Sequence, residues 1–252
     1  MFDMERGNVG VQKSCLRAEG RIVEMRLAGR FFAIIATISA GAWARDVASI
    51  AAAVDAHYNH LHTLQAEFVE TYRGSGMERT ESGTVWLEKA GAKTPGSKKP
   101  GKMRWEYRSP REKLFVSDGR DAWFYVPGDR QVRKTEARKL EDVRSPLAFL
   151  LGKSRLDKEL QGLSVAADVK PMVAGDVVLR GVPGAMSDRV SGILIEVTPE
   201  NAIDRIVMES VDGSTTEYRF SDPKENVEIP AGRFEFQVPA GVETVEGDVG
   251  VE

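Results

Sequence analysis

Residues 103–132, MRWEYRSPREKLFVSDGRDAWFYVPGDRQV, decide how the rest of the chain is read. Met103, Trp105 and Tyr107 alternate with Arg104, Glu106 and Arg108, the period of a strand with one large apolar face and one charged face. After Pro110 the pattern changes. Leu114-Phe115-Val116 and Ala122-Trp123-Phe124-Tyr125-Val126 are continuous apolar runs on either side of Asp118-Gly119, and a D-G pair between two such runs predicts a β-hairpin. Unbroken apolarity implies that both faces of these strands are covered. The segment therefore predicts a meander rich in aromatic surface, with no His, no Cys and no nucleophile beside a base.

Upstream, residues 46–68 carry Val47, Ile50, Ala51, Val54, Leu61 and Leu64 at helical spacing behind Asp46, a candidate N-cap, and predict an amphipathic helix of about five turns. From Gln65 the period becomes two, giving a strand, a turn at Gly74 and Gly76, and a second strand through Val85-Trp86-Leu87. Residues 90–102 form a Gly-, Pro- and Lys-rich loop without an acid, suited to solubility or to docking an acidic partner. Ser145-Pro146 opens a short, very apolar helix with Leu147, Phe149, Leu150 and Leu151. Five more strands are expected at 175–180, 192–198, 202–211, 215–220 and 233–238, with a second D-G turn at Asp212-Gly213. The acidic end, from Val242, is expected to fray.

The first 44 residues have a different character. FFAIIATISAGAWA, residues 31–44, follows Arg26 and Arg30 and ends in Ala-Trp-Ala, the pattern of a secretory signal with cleavage after Ala44. Met25 is an alternative start. The expected mature chain, residues 45–252, is read as one domain. It carries 29 basic against 34 acidic side chains, which argues against a nucleic-acid partner. Its composition, 42% hydrophobic over the full chain, is that of a packed protein. The lone Cys15 precedes the apolar run, so the expected mature form has neither disulfide nor thiol, and no acceptor cysteine for lipid follows the signal.

The catalytic signatures are missing. Gly152-Lys153-Ser154 lacks the upstream glycine of a P-loop, and there is no G-x-S-x-G or H-E-x-x-H. His57, His60 and His62 lie together on the first helix with no Asp or Glu there well placed to complete a zinc site, and read as a solvated face. Carboxylates are plentiful, but none is singled out as a pair. The expectation is a binding protein, not an enzyme, with no metal and no cofactor.

KPGKMRWEYRSP, then LFVSDGRDAWFYVPGDRQV, SPLAFLLG and RFEFQVPAGVETV resemble, in order and spacing, the periplasmic outer-membrane lipoprotein carrier family (LolA). The resemblance implies an incomplete, half-open antiparallel β-barrel, mainly β with short lid helices. It implies a carrier that takes acylated lipoproteins from an inner-membrane lipoprotein-releasing ABC transporter and delivers them to an outer-membrane acceptor, acting in the periplasm as a monomer. It also implies a lipid cavity and lid formed by Trp86, Lys99, Met103, Trp105, Trp123, Phe124, Leu147, Phe149 and Leu150. Lys99 stands where the family has an arginine that ties barrel to lid, and Met103 where it usually has Phe. Lysine lacks the planar donor fork of arginine, while methionine keeps the apolar character with more flexibility. Two other readings of such a half-barrel are a lipoprotein-sensing regulatory domain and the outer-membrane acceptor itself.

Overall fold

The computed structural model describes residues 46–89, 101–137 and 155–247. The expected signal segment, most of the lysine-rich loop and the expected helix at 145–151 lie outside them.

The first helix, α1, spans Val47–His60. It is shorter than expected because Leu61 is already extended (φ −71°, ψ 141°). Leu61 and Leu64 fit the helical stripe by spacing, yet they belong to the entry into the sheet, where alternate residues also turn inward. Asp46 makes no side-chain cap. Its backbone carbonyl accepts the Ser49 and Ile50 N–H groups at 2.9 and 3.1 Å. The other end is closed by Lys89, whose Nζ donates to the carbonyls of Tyr58 and Asn59 at 2.9 and 2.8 Å, a cation on the negative end of the helix.

Twelve strands follow among the described residues: β1 (Thr63–Gly74), β2 (Met77–Glu88), β3 (Lys102–Ser109), β4 (Lys113–Ser117), β5 (Asp121–Tyr125), β6 (Gln131–Glu136), β7 (Leu160–Val165), β8 (Val177–Pro183), β9 (Val190–Val197), β10 (Ile203–Ser210), β11 (Thr215–Glu225) and β12 (Glu243–Glu246). A single turn of helix, α2 (Leu156–Glu159), precedes β7. The strands form one sheet in the order β12-β6-β5-β4-β3-β2-β1-β11-β10-β9-β8-β7, antiparallel except between β12 and β6, and it does not close. Both D-G hairpins form, β4–β5 and β10–β11.

The sheet must curl. Laid flat, twelve strands would span about 53 Å, whereas α1 is about 21 Å long. Yet one continuous core joins α1 and α2 to Trp105, Phe115 and Ala122 from one half of the sheet and to Leu179, Ile195 and Ile206 from the other. The Trp105 and Tyr218 rings lie 6.1 Å apart although three strand-to-strand steps, about 14 Å when flat, separate them. The face that bears α1 is thus the inner face. The helix is fastened to it by Ile50, Ala51, Val54 and Tyr58. The Tyr58 hydroxyl accepts the Ile203 N–H at 2.9 Å, and the Asp55 carboxylate accepts the Leu156 N–H at 3.1 Å.

The carboxyl-terminal part departs from expectation twice. In place of a strand at 233–238, Ala231–Phe234 makes a 3₁₀ turn that drops Phe234 against Trp86 and Ile229 on the outer face. The acidic end is not frayed up to position 246. Strand β12 pairs in parallel with β6, setting Val245 and Glu246 opposite Arg133 and Lys134, so the acidic strand lies along a basic one. No helix among the described residues is long and apolar enough to cross a membrane.

Candidate apolar binding face

Strand alternation sorts the aromatic residues. On β3, Met103, Trp105 and Tyr107 point inward, and register carries the inner row on to Phe115 in β4 and Phe124 in β5. Phe68, 1% exposed, stands at the centre of the floor, with Trp105 and Tyr107 meeting its ring edge-on at 4.7 and 4.9 Å. Such edge-to-face pairs add about 0.5–1.5 kcal/mol to the burial itself. Tyr218 continues the floor, and Phe220 stacks on its edge at 6.5 Å.

Around this sealed floor runs a rim of half-buried apolar side chains: Met103, Phe124, Leu163, Met208 and Phe220 pack on the core but are not covered by it. Two of them are methionines, which adapt to irregular apolar ligands. Leu156, in the short helix before β7, is buried in the inner core.

The inner face also holds a polar group that sequence reasoning did not single out. Tyr107 donates to Glu70 at 2.8 Å beneath the floor. Burial pushes the Glu70 pKa up, against the lowering effect of that bond and of Lys113 and Arg79. Lys113 itself is engaged by Glu81 at 2.6 Å. This arrangement anchors rings and offers no nucleophile beside a base.

Of the cavity residues expected from sequence, the structure gathers Met103, Trp105 and Phe124 on the inner face and corrects the placement of two others. Trp86 and Trp123 point outward. Trp86 packs under Ile229 and Phe234, with the Arg233 guanidinium 4.6 Å above its ring. Trp123 lies 6.0 Å from Phe236, with the Lys134 ammonium 5.7 Å from its own ring centroid. The cause is register: Trp86 pairs with Arg104, Arg104 with Val116 and Val116 with Trp123, all one step out of phase with the inner row. Lys99, Leu147, Phe149 and Leu150 lie outside the described residues.

The outer face also carries a groove of ≈ 540 Å³ between β3–β4 and residues 230–237, walled by Arg104, Arg233 and Glu235 as well as Leu114 and Phe236. Its mixed polar walls are unlike the apolar rim within. The histidines are not all free: His57 Nε2 lies 2.8 Å from Glu225 Oε1, a partner supplied by another element. A carboxylate cluster, Asp176, Glu196 and Asp204, also went unseen in the sequence, since residues 20 and 8 apart meet only through strand pairing.

Residues 59–237 match the family model described as outer membrane lipoprotein carrier protein LolA. An outer-membrane lipoprotein carrier protein of Chromobacterium violaceum is 29% identical over 216 residues, covering 84% of this chain and 95% of the relative. That of Dechloromonas aromatica is 30% identical over 202 residues, covering 77% and 88%. Among solved structures, a LolA superfamily protein from Nitrosomonas europaea aligns with 75% of this chain and 96% of its own at 13% identity, with a TM-score of 0.39.

Proposed function

Because the chain belongs to the LolA family of outer membrane lipoprotein carrier proteins, we propose that its inner face binds the acyl chains of lipoproteins and carries them across the periplasm. In this reading an inner-membrane ABC exporter supplies the cargo and an outer-membrane acceptor removes it. The observation that carries the proposal is the half-buried apolar rim of Met103, Phe124, Leu163, Met208 and Phe220 around a sealed aromatic floor. A floor that is already full gives shape. An incompletely covered rim gives the surface that an acyl chain can complete.

The energetics favour such a surface. Each CH₂ group withdrawn from water contributes about 0.8 kcal/mol, so a lipoprotein cannot cross an aqueous compartment cheaply with its chains exposed. Transfer needs no covalent step, only a site that binds apolar chains and then yields them to a partner with a more favourable one.

The test is release of acylated lipoprotein from inner-membrane spheroplasts by the purified protein. Phe124→Asp, which sets a charge on the rim, is expected to cut release at least tenfold while the protein stays folded by circular dichroism. Release unchanged by this substitution, or no release by the unaltered protein with a competent exporter present, would refute the carrier reading.

A further inference from the structure

On the outer face, three carboxylates converge where β8, β9 and β10 run side by side. Asp176 leads into β8, Glu196 lies in β9, and Asp204 sits where the β9–β10 register shifts between Ile203 and Arg205. Pairing explains the convergence. Val177 lies opposite Val197 and Val197 opposite Ile203, all inward-facing, so the neighbouring positions 176, 196 and 204 turn outward together. One carboxylate oxygen from each lies within 4.8 Å of the others.

Their partners are unequal. Glu196 is 1% exposed and held by three donors: Oε1 accepts the Met172 and Val173 N–H groups, and Oε2 accepts from Arg205 at 3.2 Å, which leaves lone-pair capacity on Oε2. Arg205 is shared with Glu217, to which it donates at 2.9 Å. Asp176, in contrast, is only 8% exposed and its Oδ2 has no hydrogen-bond partner, and the buried Oδ1 of Asp204 has none either. Two carboxylates this close, each with a buried oxygen that has no donor, call for a positive species between them, either a proton or a cation. Burial, followed by the charges of Asp176 and Glu196, pushes the Asp204 pKa up, the electrostatic mark of negative groups crowded together.

We propose that Asp176, Asp204 and Glu196 form a calcium site. All the side-chain ligands are hard carboxylate oxygens, with no His or Cys to favour zinc or a softer metal. Calcium accepts irregular shells of six to eight oxygens, and the half-buried Asp204 leaves a side open to water. Magnesium demands a stricter octahedron and gives up its water reluctantly, which suits a crowded and largely dry cluster less well. The ion would tie the turn at 171–175, which already wraps Glu196, to the shifted segment of β10. The site lies on the opposite face from the apolar rim, so it stands or falls independently of the carrier reading.

Calorimetric titration of calcium chloride into the chelator-treated protein, at pH 7.5 and constant ionic strength, decides the matter. One saturable site with a Kd on the order of 10⁻⁵–10⁻³ M is expected. At a hundredfold excess over Kd the melting temperature should rise by about 5–10 °C. Asp204→Asn should weaken binding at least tenfold and abolish that rise, while its metal-free form melts at or above the unaltered protein because one crowded charge has gone. Magnesium at the same concentration should give less than half the shift. No saturable heat up to about 10 mM calcium would overturn the site and leave a proton shared by Asp176 and Asp204. Unweakened binding by Asp204→Asn would overturn the ligand assignment, and an equal response to magnesium would overturn the choice of ion.

Discussion

The two faces of the sheet carry similar aromatic weight and use it differently. On the inner face Phe68, Trp105, Tyr107 and Tyr218 interlock into a closed floor, beyond which Met103 and Phe124 remain half-covered. On the outer face Trp86 is buried by the chain's own residues 227–234, through Val227, Ile229, Phe234 and the guanidinium of Arg233, while Trp123 stays half-buried beside Phe236. The lesson is that aromatic richness does not locate a binding surface. What matters is whether the protein itself finishes covering the rings.

The largest effect should come from the floor. Trp105→Ala removes a side chain that touches Phe68 and Tyr218 and should cost about 3–5 kcal/mol in urea denaturation. A loss under about 1 kcal/mol would mean the floor is not the closed structure that separates it from the rim. Phe234→Ala should come next, at about 3 kcal/mol. Its increase in amide hydrogen exchange should be confined to residues 227–247 and the outer-face strands they cover. Faster exchange in α1 would break the distinction between the faces.

The smallest effect concerns Glu70, the carboxylate under the floor. Its folded pKa is raised above the ordinary 4.5 by burial, so the native state holds its proton more firmly than the unfolded chain does. Stability from this group is therefore fullest below the unfolded pKa and is lost as pH rises through the folded one. Glu70→Gln keeps an acceptor for Tyr107 and removes the buried charge. Its melting temperature should equal or exceed that of the unaltered protein at pH 7.5, with the advantage gone at pH 4. A variant less stable at pH 7.5 than at pH 4, relative to the unaltered protein, would show that Lys113 and Arg79 outweigh the desolvation.

Much of this architecture could be read along the chain because its signals are local. The alternation of Met103, Trp105 and Tyr107 gave the correct inner row, and Asp118-Gly119 and Asp212-Gly213 marked true hairpins. Ala122-Trp123-Phe124-Tyr125 was different. A run apolar at every position carries no phase, so nothing in it distinguishes the inward Phe124 from the outward Trp123. Strand β7 was missed because it is short and its apolar residues Leu160, Leu163 and Val165 do not alternate, with Gly162 in the left-handed region (φ 64°) where its pairing with β8 shifts. The end of the chain misled because alternation in Arg233–Val238 looks the same whether the segment joins a sheet edge or lies across a face.

Periodicity, turn chemistry and the family resemblance in KMRWEYRSP and VSDGRDAWFY were enough to establish an open, mainly antiparallel sheet with an amphipathic helix against it. They rest on neighbours within a few residues, where backbone geometry leaves few choices. Which tryptophans face the helix, what seals the outer face, and why Asp176, Glu196 and Asp204 meet all depend on register between strands distant in sequence. That register is set by how the whole sheet buries its apolar surface, a collective quantity that no single segment encodes.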